Sequence, residues 1–218
     1  MRQIFPEWFD TAARAGLVGA ALLVPAVAVG LGAFYRSDYV TGAHAARRQP
    51  VPFSHAHHVG QLGIDCRYCH PSAERSPFAG MPATETCMNC HEQLWVGAPL
   101  LEPVRRSWRA GAPLRWQRVH NLPGYVYFDH SAHVGKGVGC AECHGRVDEM
   151  PLTWQEEPLT MGWCLDCHRN PAPHLRPRDE IYNPTWTRPP AAPSGTQLAA
   201  EYRVRDAHAL TSCSTCHR

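Results

Sequence analysis

The chain has 218 residues, enough for one or two domains, and its 44% hydrophobic and 18% charged residues exclude an intrinsically disordered protein. Its 20 prolines and 17 glycines interrupt regular structure so often that long helices or strands, and with them a large aliphatic core, are excluded from most of the chain. The formal net charge is only +2 and Lys136 is the single lysine, so no basic tract indicates nucleic-acid binding.

The first predicted element is a membrane-spanning helix at residues 16–35. This run carries no charge, and at about 1.5 Å per residue a helix of its length crosses a hydrocarbon layer of about 30 Å. The alternative is a cleaved signal peptide, because Ala26 and Ala28 form an A-x-A pattern inside the run. We expect an uncleaved anchor, because the run is longer than the apolar core of a signal peptide.

Five copies of the motif C-x-x-C-H follow, and together they contain all ten cysteines. Two thiols three residues apart reach the two vinyl groups of one porphyrin as thioethers, and the next histidine binds the iron as proximal ligand. The motifs therefore predict five covalently bound c-type haems. Numbered 1 to 5 in chain order, their cysteines are Cys66 and Cys69, Cys87 and Cys90, Cys140 and Cys143, Cys164 and Cys167, and Cys213 and Cys216; the proximal histidines are His70, His91, His144, His168 and His217.

Two other uses of cysteine pairs are less consistent with this pattern. Paired C-x-x-C motifs with a spacing like that from Cys69 to Cys87 often bind structural zinc. Zinc is disfavoured because the number of motifs is odd and because a histidine follows every one of them. A thioredoxin-like redox pair is disfavoured because no βαβ pattern surrounds any copy.

The motifs are arranged as two close pairs and a single copy. A segment of the form F-x-H-x-x-H-V-G precedes each pair, at residues 53–60 and again at residues 128–135. The chain therefore contains an internal repeat of about 75 residues. We call residues 53–91 the first repeat and residues 128–168 the second repeat; motif 5, at residues 213–217, follows as a single copy.

Each repeat offers two further histidines that lie three residues apart. Residues at this spacing share a face of a helix, so His55 with His58, and His130 with His133, are predicted to bind two irons as distal ligands. The arrangement resembles the small multihaem cytochromes of the c3 and c7 type, in which the first histidine binds the haem just downstream and the second binds the following one. This resemblance implies the iron-bound pairs His55 with His70, His58 with His91, His130 with His144, and His133 with His168.

The distal ligand of motif 5 stays open in the sequence. The candidate histidines are, in order of preference, His120, His174, His208 and His44. A methionine sulfur is a further alternative, although methionine more often serves packing; the candidates are Met81, Met150 and Met161. His57 is expected to bind no iron. An iron with two protein ligands has no open position for a substrate, which favours electron transfer over catalysis.

Three segments resemble one particular family: VHNLPGYVYFDHSAHVGKGVGCAECHGRVDEM (residues 119–150), EPLTMGWCLDCHRNP (157–171) and TSCSTCHR (211–218). They are similar to the pentahaem cytochrome c subunit of alternative complex III, which also has an N-terminal membrane helix. The resemblance implies an electron-transfer subunit of a membrane quinol-oxidising complex. The implied partners are an NrfD-like quinol subunit, an iron–sulfur subunit, and a monohaem cytochrome c, a soluble acceptor or an oxidase.

The expected fold is a multihaem cytochrome c, mostly irregular, with short helices around five haems and one N-terminal transmembrane helix. Residues 1–15 are expected in the cytoplasm, residues 16–35 in the inner membrane, and residues 36–218 on the periplasmic side, because haem is attached covalently outside the cytoplasm. Two other functions stay open. One is a NapC/NrfH-like quinol dehydrogenase, although no motif has the form C-x-x-C-H-x-M. The other is a multihaem reductase with an open iron site.

Overall fold

The computed structural model describes residues 4–217, which divide into two units at the bond between Gly42 and Ala43. The first unit is dominated by the helix α1 (Trp8–Tyr35), which the short helix α2 (Asp38–Thr41) follows. Helix α1 has no buried residue, continues through Pro25, and is long and apolar enough to cross a membrane.

Helix α1 begins eight residues before the predicted span. The charged residues that limit the apolar run do not limit the helix. Arg14 forms an ion pair of 2.9 Å with Asp10, one helical turn earlier, and such a pair favours helix formation.

The second unit consists of short helices that irregular segments connect. Its α-helices are α3 (Cys66–Cys69), α4 (Thr84–His91), α5 (Glu102–Ala110), α6 (His130–Gly135), α7 (Ala141–His144), α8 (Met161–Arg169), α9 (Gly195–Glu201), α10 (Ala207–Leu210) and α11 (Cys213–Cys216). A π-helix spans Ala56–Gln61, and 3-10 turns span Pro99–Leu101, Val147–Glu149, Ala172–His174 and Arg178–Glu180. Within residues 4–217 no strand forms; two isolated bridges join Ala43 to Gln155 and Val138 to Leu175. The predicted fold class, short helices in a mostly irregular chain, is confirmed.

Each of the five motifs lies in or directly beside a short helix, namely α3, α4, α7, α8 and α11. Some of these helices begin at a side-chain cap. The Asp65 carboxylate accepts a hydrogen bond from the backbone of Arg67, and the Thr160 hydroxyl accepts one from the backbone of Trp163. A helical turn places residues three apart on one face, so the two thiols of a motif are directed to the same side.

The aliphatic core is small, as the composition predicts. One cluster forms around α4 and α5 and contains Val51, Met88, Leu101 and Val104. A second contains Leu175, Leu198 and Tyr202. Among the described residues, two buried clusters of three and four side chains form only a small core for a unit of this size.

Candidate functional site

The phenylalanine of each F-x-H-x-x-H segment packs against both histidines of that segment. Phe53 stacks on His58, with ring centres 4.4 Å apart and an angle of 23°, and meets His55 edge-on at 4.9 Å and 85°. Phe128 has the same relation to its own two histidines, at 4.5 Å and 26° for the second and 4.8 Å and 90° for the first. One aromatic ring therefore sets the directions of two imidazoles in both repeats.

Most of the predicted iron ligands share one hydrogen bond: their Nδ1 atom lies beside a backbone carbonyl oxygen. A carbonyl oxygen can only accept, so Nδ1 carries the proton and Nε2 keeps its lone pair for a metal. The pairs are His58 with Ser54 (2.9 Å), His70 with Gly80 (2.7 Å), His91 with Leu94 (3.3 Å), His130 with Pro77 (2.7 Å), His133 with Asp129 (2.7 Å), His168 with Leu210 (3.0 Å) and His217 with Tyr125 (3.1 Å).

Two of the histidines in the four proposed iron-bound pairs have side-chain partners instead. Nδ1 of His55 lies 2.8 Å from the Thr153 hydroxyl oxygen. Nδ1 of His144 lies 3.2 Å from Nε2 of His120. In both cases Nε2 again faces away from the hydrogen bond.

The spacing of the imidazoles within the proposed pairs suits a shared iron. Two imidazoles on opposite sides of one metal, with bonds of about 2.0–2.1 Å, have ring centres about 6 Å apart. The structure places the ring centres of three pairs at this distance: His58 and His91 at 6.2 Å, His130 and His144 at 6.3 Å, and His133 and His168 at 6.1 Å. His55 and His70 are electrostatic neighbours. The donor atoms present therefore fit bis-histidine haem.

Burial keeps several of these imidazoles neutral. It lowers the pKa of His55 to about 4 and that of His144 to about 3. It also lowers the pKa of His58 and of His133. A metal ligand must be deprotonated at the binding nitrogen, so these groups are ready to bind iron at neutral pH.

Cysteines of different motifs that lie close enough to interact show which motifs are neighbours in the fold. Cys69 interacts with Cys87, which joins motifs 1 and 2, and Cys66 interacts with Cys140, which joins motifs 1 and 3. The remaining neighbours are Cys143 with Cys164 and Cys167, which join motifs 3 and 4, and Cys164 with Cys216, which join motifs 4 and 5. The motifs therefore form an unbroken series in the order 2, 1, 3, 4, 5, which sequence reasoning missed because it depends on packing between the repeats.

The candidates for the distal ligand of motif 5 occupy different environments. Nε2 of His120, the first-ranked candidate, is directed at His144 and not into a free space. Nδ1 of His174 donates to Glu142 Oε2 at 2.9 Å, so its Nε2 keeps a lone pair for a metal. His208 lies in α10 and is exposed.

The remaining candidates for this ligand are a histidine and three methionines. His44 lies 3.8 Å from Glu156. Met150 is among the most deeply buried side chains, whereas Met81 and Met161 are mostly exposed. The environment of Met150 is that of a packing residue.

A buried arginine, Arg176, contacts the same carboxylate as His174. Arg176 donates from Nη2 to Glu142 Oε1 at 2.8 Å and from Nη1 to the carbonyl of Asn183 at 2.9 Å. Its guanidinium also lies over the ring of Trp186, 5.1 Å from the ring centre. Glu142 stands between the two cysteines of motif 3, so the arginine, the carboxylate and His174 form one connected group at that motif.

A site for a lone metal ion is a different arrangement from the one observed. Within residues 4–217 no group of three or more His, Cys, Asp or Glu side chains converges as such a site requires. The imidazoles are instead arranged in pairs with ring centres 6.1–6.3 Å apart, and one member of each pair directly follows two cysteines in the sequence, which is the donor set of a c-type haem.

Helices that carry C-x-x-C-H motifs, with imidazoles opposed at the spacing of a shared iron, define a multihaem cytochrome c. Comparison with known proteins agrees: residues 126–218 match the family described as cytochrome c7 and related cytochrome c. The multihaem cytochrome c subunit of menaquinone reductase from Nitratidesulfovibrio vulgaris (strain Hildenborough) is 34% identical over 149 residues, which cover 58% of this chain and 70% of that protein. The chain belongs to the multihaem cytochromes c and is a binder of c-type haem.

Proposed function

We propose that this protein is the membrane-anchored, pentahaem electron-transfer subunit of a quinol-oxidising respiratory complex, and that it relays electrons to a periplasmic cytochrome c or a terminal oxidase. The observation that carries the proposal is the set of opposed imidazole pairs with ring centres 6.1–6.3 Å apart. When bound, c-type haem supplies a one-electron redox couple.

The residues of this chain would hold each haem and, in the repeats, would leave no open coordination position on its iron. The two cysteines of each motif would hold the porphyrin as thioethers, and the proximal histidine would ligate its iron. In the repeats, His55, His58, His130 and His133 would supply a second nitrogen ligand, which would leave no position for a substrate. Hydrogen bonds from Nδ1 to fixed carbonyl oxygens hold the rings, so little reorganisation accompanies a change of charge.

The exposure of the cysteines supports entry and exit of electrons at the two ends of the series. Among the ten cysteines, all of which lie in the described part of the chain, Cys90 of motif 2 and Cys213 of motif 5 are exposed and the others are half-buried. Motif 2 and motif 5 are the two end members of the order 2, 1, 3, 4, 5. Exposed apolar residues lie beside both: Trp95 follows motif 2, and the ring of Tyr125 lies 5.9 Å from that of His217.

The helix α1 would anchor the protein in the inner membrane, with its N-terminal side in the cytoplasm and the second unit in the periplasm. Its length and apolar composition support a membrane anchor. The sidedness follows from chemistry, because covalent haem attachment takes place outside the cytoplasm. The proposed partners are an NrfD-like quinol subunit, an iron–sulfur subunit and a monohaem cytochrome c, as in alternative complex III.

The opposite direction of electron flow is a second candidate, and one observation favours it. The relative from Nitratidesulfovibrio vulgaris is named as a subunit of a menaquinone reductase. A subunit of that kind would receive electrons in the periplasm and deliver them towards quinone. Irons with two histidine ligands would serve electron flow in either direction.

The proposal is tested on the protein purified from membranes, alone and with its partner subunits. We expect five haems per chain, all low-spin, with no binding of carbon monoxide. We also expect rapid reduction by quinol in the intact complex and none by the isolated subunit. Fewer than five haems, a carbon monoxide-binding haem, or direct reduction of the isolated subunit by quinol would each contradict the proposal. Reduction of quinone by a reduced periplasmic cytochrome, without the reverse reaction, would support the second direction.

A further inference from the structure

His120 has a contact that none of the other candidates for motif 5 has. Its Nε2 lies 3.2 Å from Nδ1 of His144, the proximal ligand of motif 3, and the two rings meet edge-on with centres 4.2 Å apart. The ring of His130, the proposed distal ligand of the same motif, is nearly parallel to that of His144, with ring centres 6.3 Å apart. The Nδ1 atom of His144 therefore has a nitrogen partner, and its Nε2 atom is the one left for the proposed iron.

The chemistry of ligation decides which nitrogen holds the proton of this hydrogen bond. An imidazole that binds iron through Nε2 carries its proton on Nδ1. His144 must then donate from Nδ1, and Nε2 of His120 must accept. The same lone pair of His120 cannot also bind an iron.

We propose that His120 is a positioning residue for the haem of motif 3 and not an iron ligand: its Nε2 accepts the Nδ1 proton of His144, fixes the tautomer and orientation of that ligand, and raises the electron density that it donates to the iron. The inference rests on the proposed binding of haem by motif 3. Acceptors behind a ligating histidine make it more basic, which stabilises the oxidised iron and lowers the reduction potential.

The position of motif 3 gives this contact its importance. Motif 3 is the middle member of the series 2, 1, 3, 4, 5 and joins the two repeats through the neighbours Cys66 and Cys140. The corresponding ligand of the first repeat, His70, donates to the backbone carbonyl of Gly80 at 2.7 Å. A backbone acceptor is present whatever the side chain is, whereas the acceptor of His144 depends on a single side chain and is open to substitution.

Two variants of His120 test the inference in the full-length, haem-loaded protein. His120→Leu removes the acceptor, and His120→Gln keeps an amide oxygen near the position of Nε2. We expect five low-spin haems in both, with one of the five midpoint potentials shifted to a more positive value in the leucine variant and returned towards the wild-type value in the glutamine variant. Redox titration followed by visible and EPR spectra measures these quantities.

His130→Leu is the matched control, because it removes the distal ligand from the same iron. It is expected to convert one haem to a high-spin form that binds carbon monoxide, and this haem should be the one whose potential moves in His120→Leu. A carbon monoxide-binding haem in His120→Leu would overturn the inference and make His120 a ligand. Five unchanged potentials in His120→Leu, or an equal shift in the glutamine variant, would also overturn it. A wild-type protein without haem at motif 3 would instead contradict the proposed function.

Discussion

The two repeats carry the same ligand pattern on different supports. In both, one phenylalanine orients two histidines, at nearly equal distances and angles. The segment of the first repeat forms a π-helix (Ala56–Gln61) packed on the 3-10 turn Val147–Glu149, whereas that of the second forms the α-helix α6. The comparison teaches that the repeated residues encode the geometry of the ligands, and that neighbouring segments determine what surrounds them.

The hydrogen-bond partners of the four histidines also fall into two kinds: some belong to the segment itself, and others belong to distant segments. The second histidine of each segment donates from Nδ1 to a carbonyl four residues earlier, at Ser54 and at Asp129, so this contact is built into the helix. The first histidine uses a distant partner: His55 contacts the hydroxyl of Thr153, and His130 contacts the carbonyl of Pro77. Ligand basicity depends on such partners, so corresponding haems of the two repeats should differ in potential.

The largest effect is expected where the repeats are alike, at the distal ligands. His58→Leu and His133→Leu should each convert one haem of five to a high-spin form, because each removes one of two imidazoles that face each other at about the distance of a shared iron. EPR and carbon monoxide difference spectra report the change.

His57→Leu is the control for these ligand variants. His57 is adjacent to His58, but its Nδ1 bonds to the Gln61 side chain at 2.8 Å, and we expect no change in any haem. A carbon monoxide-binding haem in this variant, or five low-spin haems after loss of His58 or His133, would show that the ligands are assigned wrongly.

The next effect is expected to differ between the two repeats. It concerns the glycine that ends each F-x-H-x-x-H-V-G segment. A methyl group on Gly60 would overlap the carbonyl oxygen of Asp148, while one on Gly135 would meet nothing within 4 Å. Gly60→Ala should therefore lower the free energy of unfolding by about 1–3 kcal/mol. Gly135→Ala should leave it unchanged or raise it by up to about 1 kcal/mol. Urea titration of the haem-loaded protein measures both, and equal losses would contradict the difference in packing.

A smaller effect is expected to be equal in both repeats, at the phenylalanines. Phe53→Leu and Phe128→Leu should each lower the free energy of unfolding by about 0.5–1.5 kcal/mol, because the aromatic contacts with the two histidines are lost. Both should also alter the EPR line shape of two haems, because the angle between the ring planes of paired imidazoles is no longer fixed. Phe78→Leu, at a mostly exposed ring, is the control and should change neither property. A change confined to one repeat would mean that the two phenylalanines have different roles.

The sequence predicted the features that follow from local spacing. Thiols three residues apart suit the shape of a porphyrin and histidines three residues apart share a helix face, so candidate ligands could be proposed without a structure. The order of the motifs could not be, because Cys66 and Cys140 are neighbours only through long-range packing. The role that we propose for His120 could not be predicted for the same reason: its ranking as a ligand rested on availability, whereas the proposal rests on the contact of its Nε2 with His144, which only the structure shows.

The smallest effect concerns the second residue of each segment, which follows the phenylalanine. Asp129 caps α6: its Oδ1 accepts from the backbone nitrogens of Ser131 and Ala132 and from the Ser131 hydroxyl. In the first repeat Ser54 accepts one bond, from the backbone nitrogen of His57 at 3.1 Å. A carboxylate at a helix N-terminus also interacts favourably with the helix dipole. Asp129→Ala should therefore lower the free energy of unfolding by about 1 kcal/mol, and Ser54→Ala should lower it by less.

Denaturant midpoints of the two cap variants, measured beside wild type, give this difference. The backbone carbonyls of residues 54 and 129 remain in both variants, so His58 and His133 keep their Nδ1 partners. The haem spectra should therefore stay as in wild type while stability falls. A cost for Ser54→Ala equal to that for Asp129→Ala would show that the π-helix of the first repeat depends on its cap as much as α6 does, and a spectral change in either variant would show that the caps, and not only the carbonyls, hold the ligands in place.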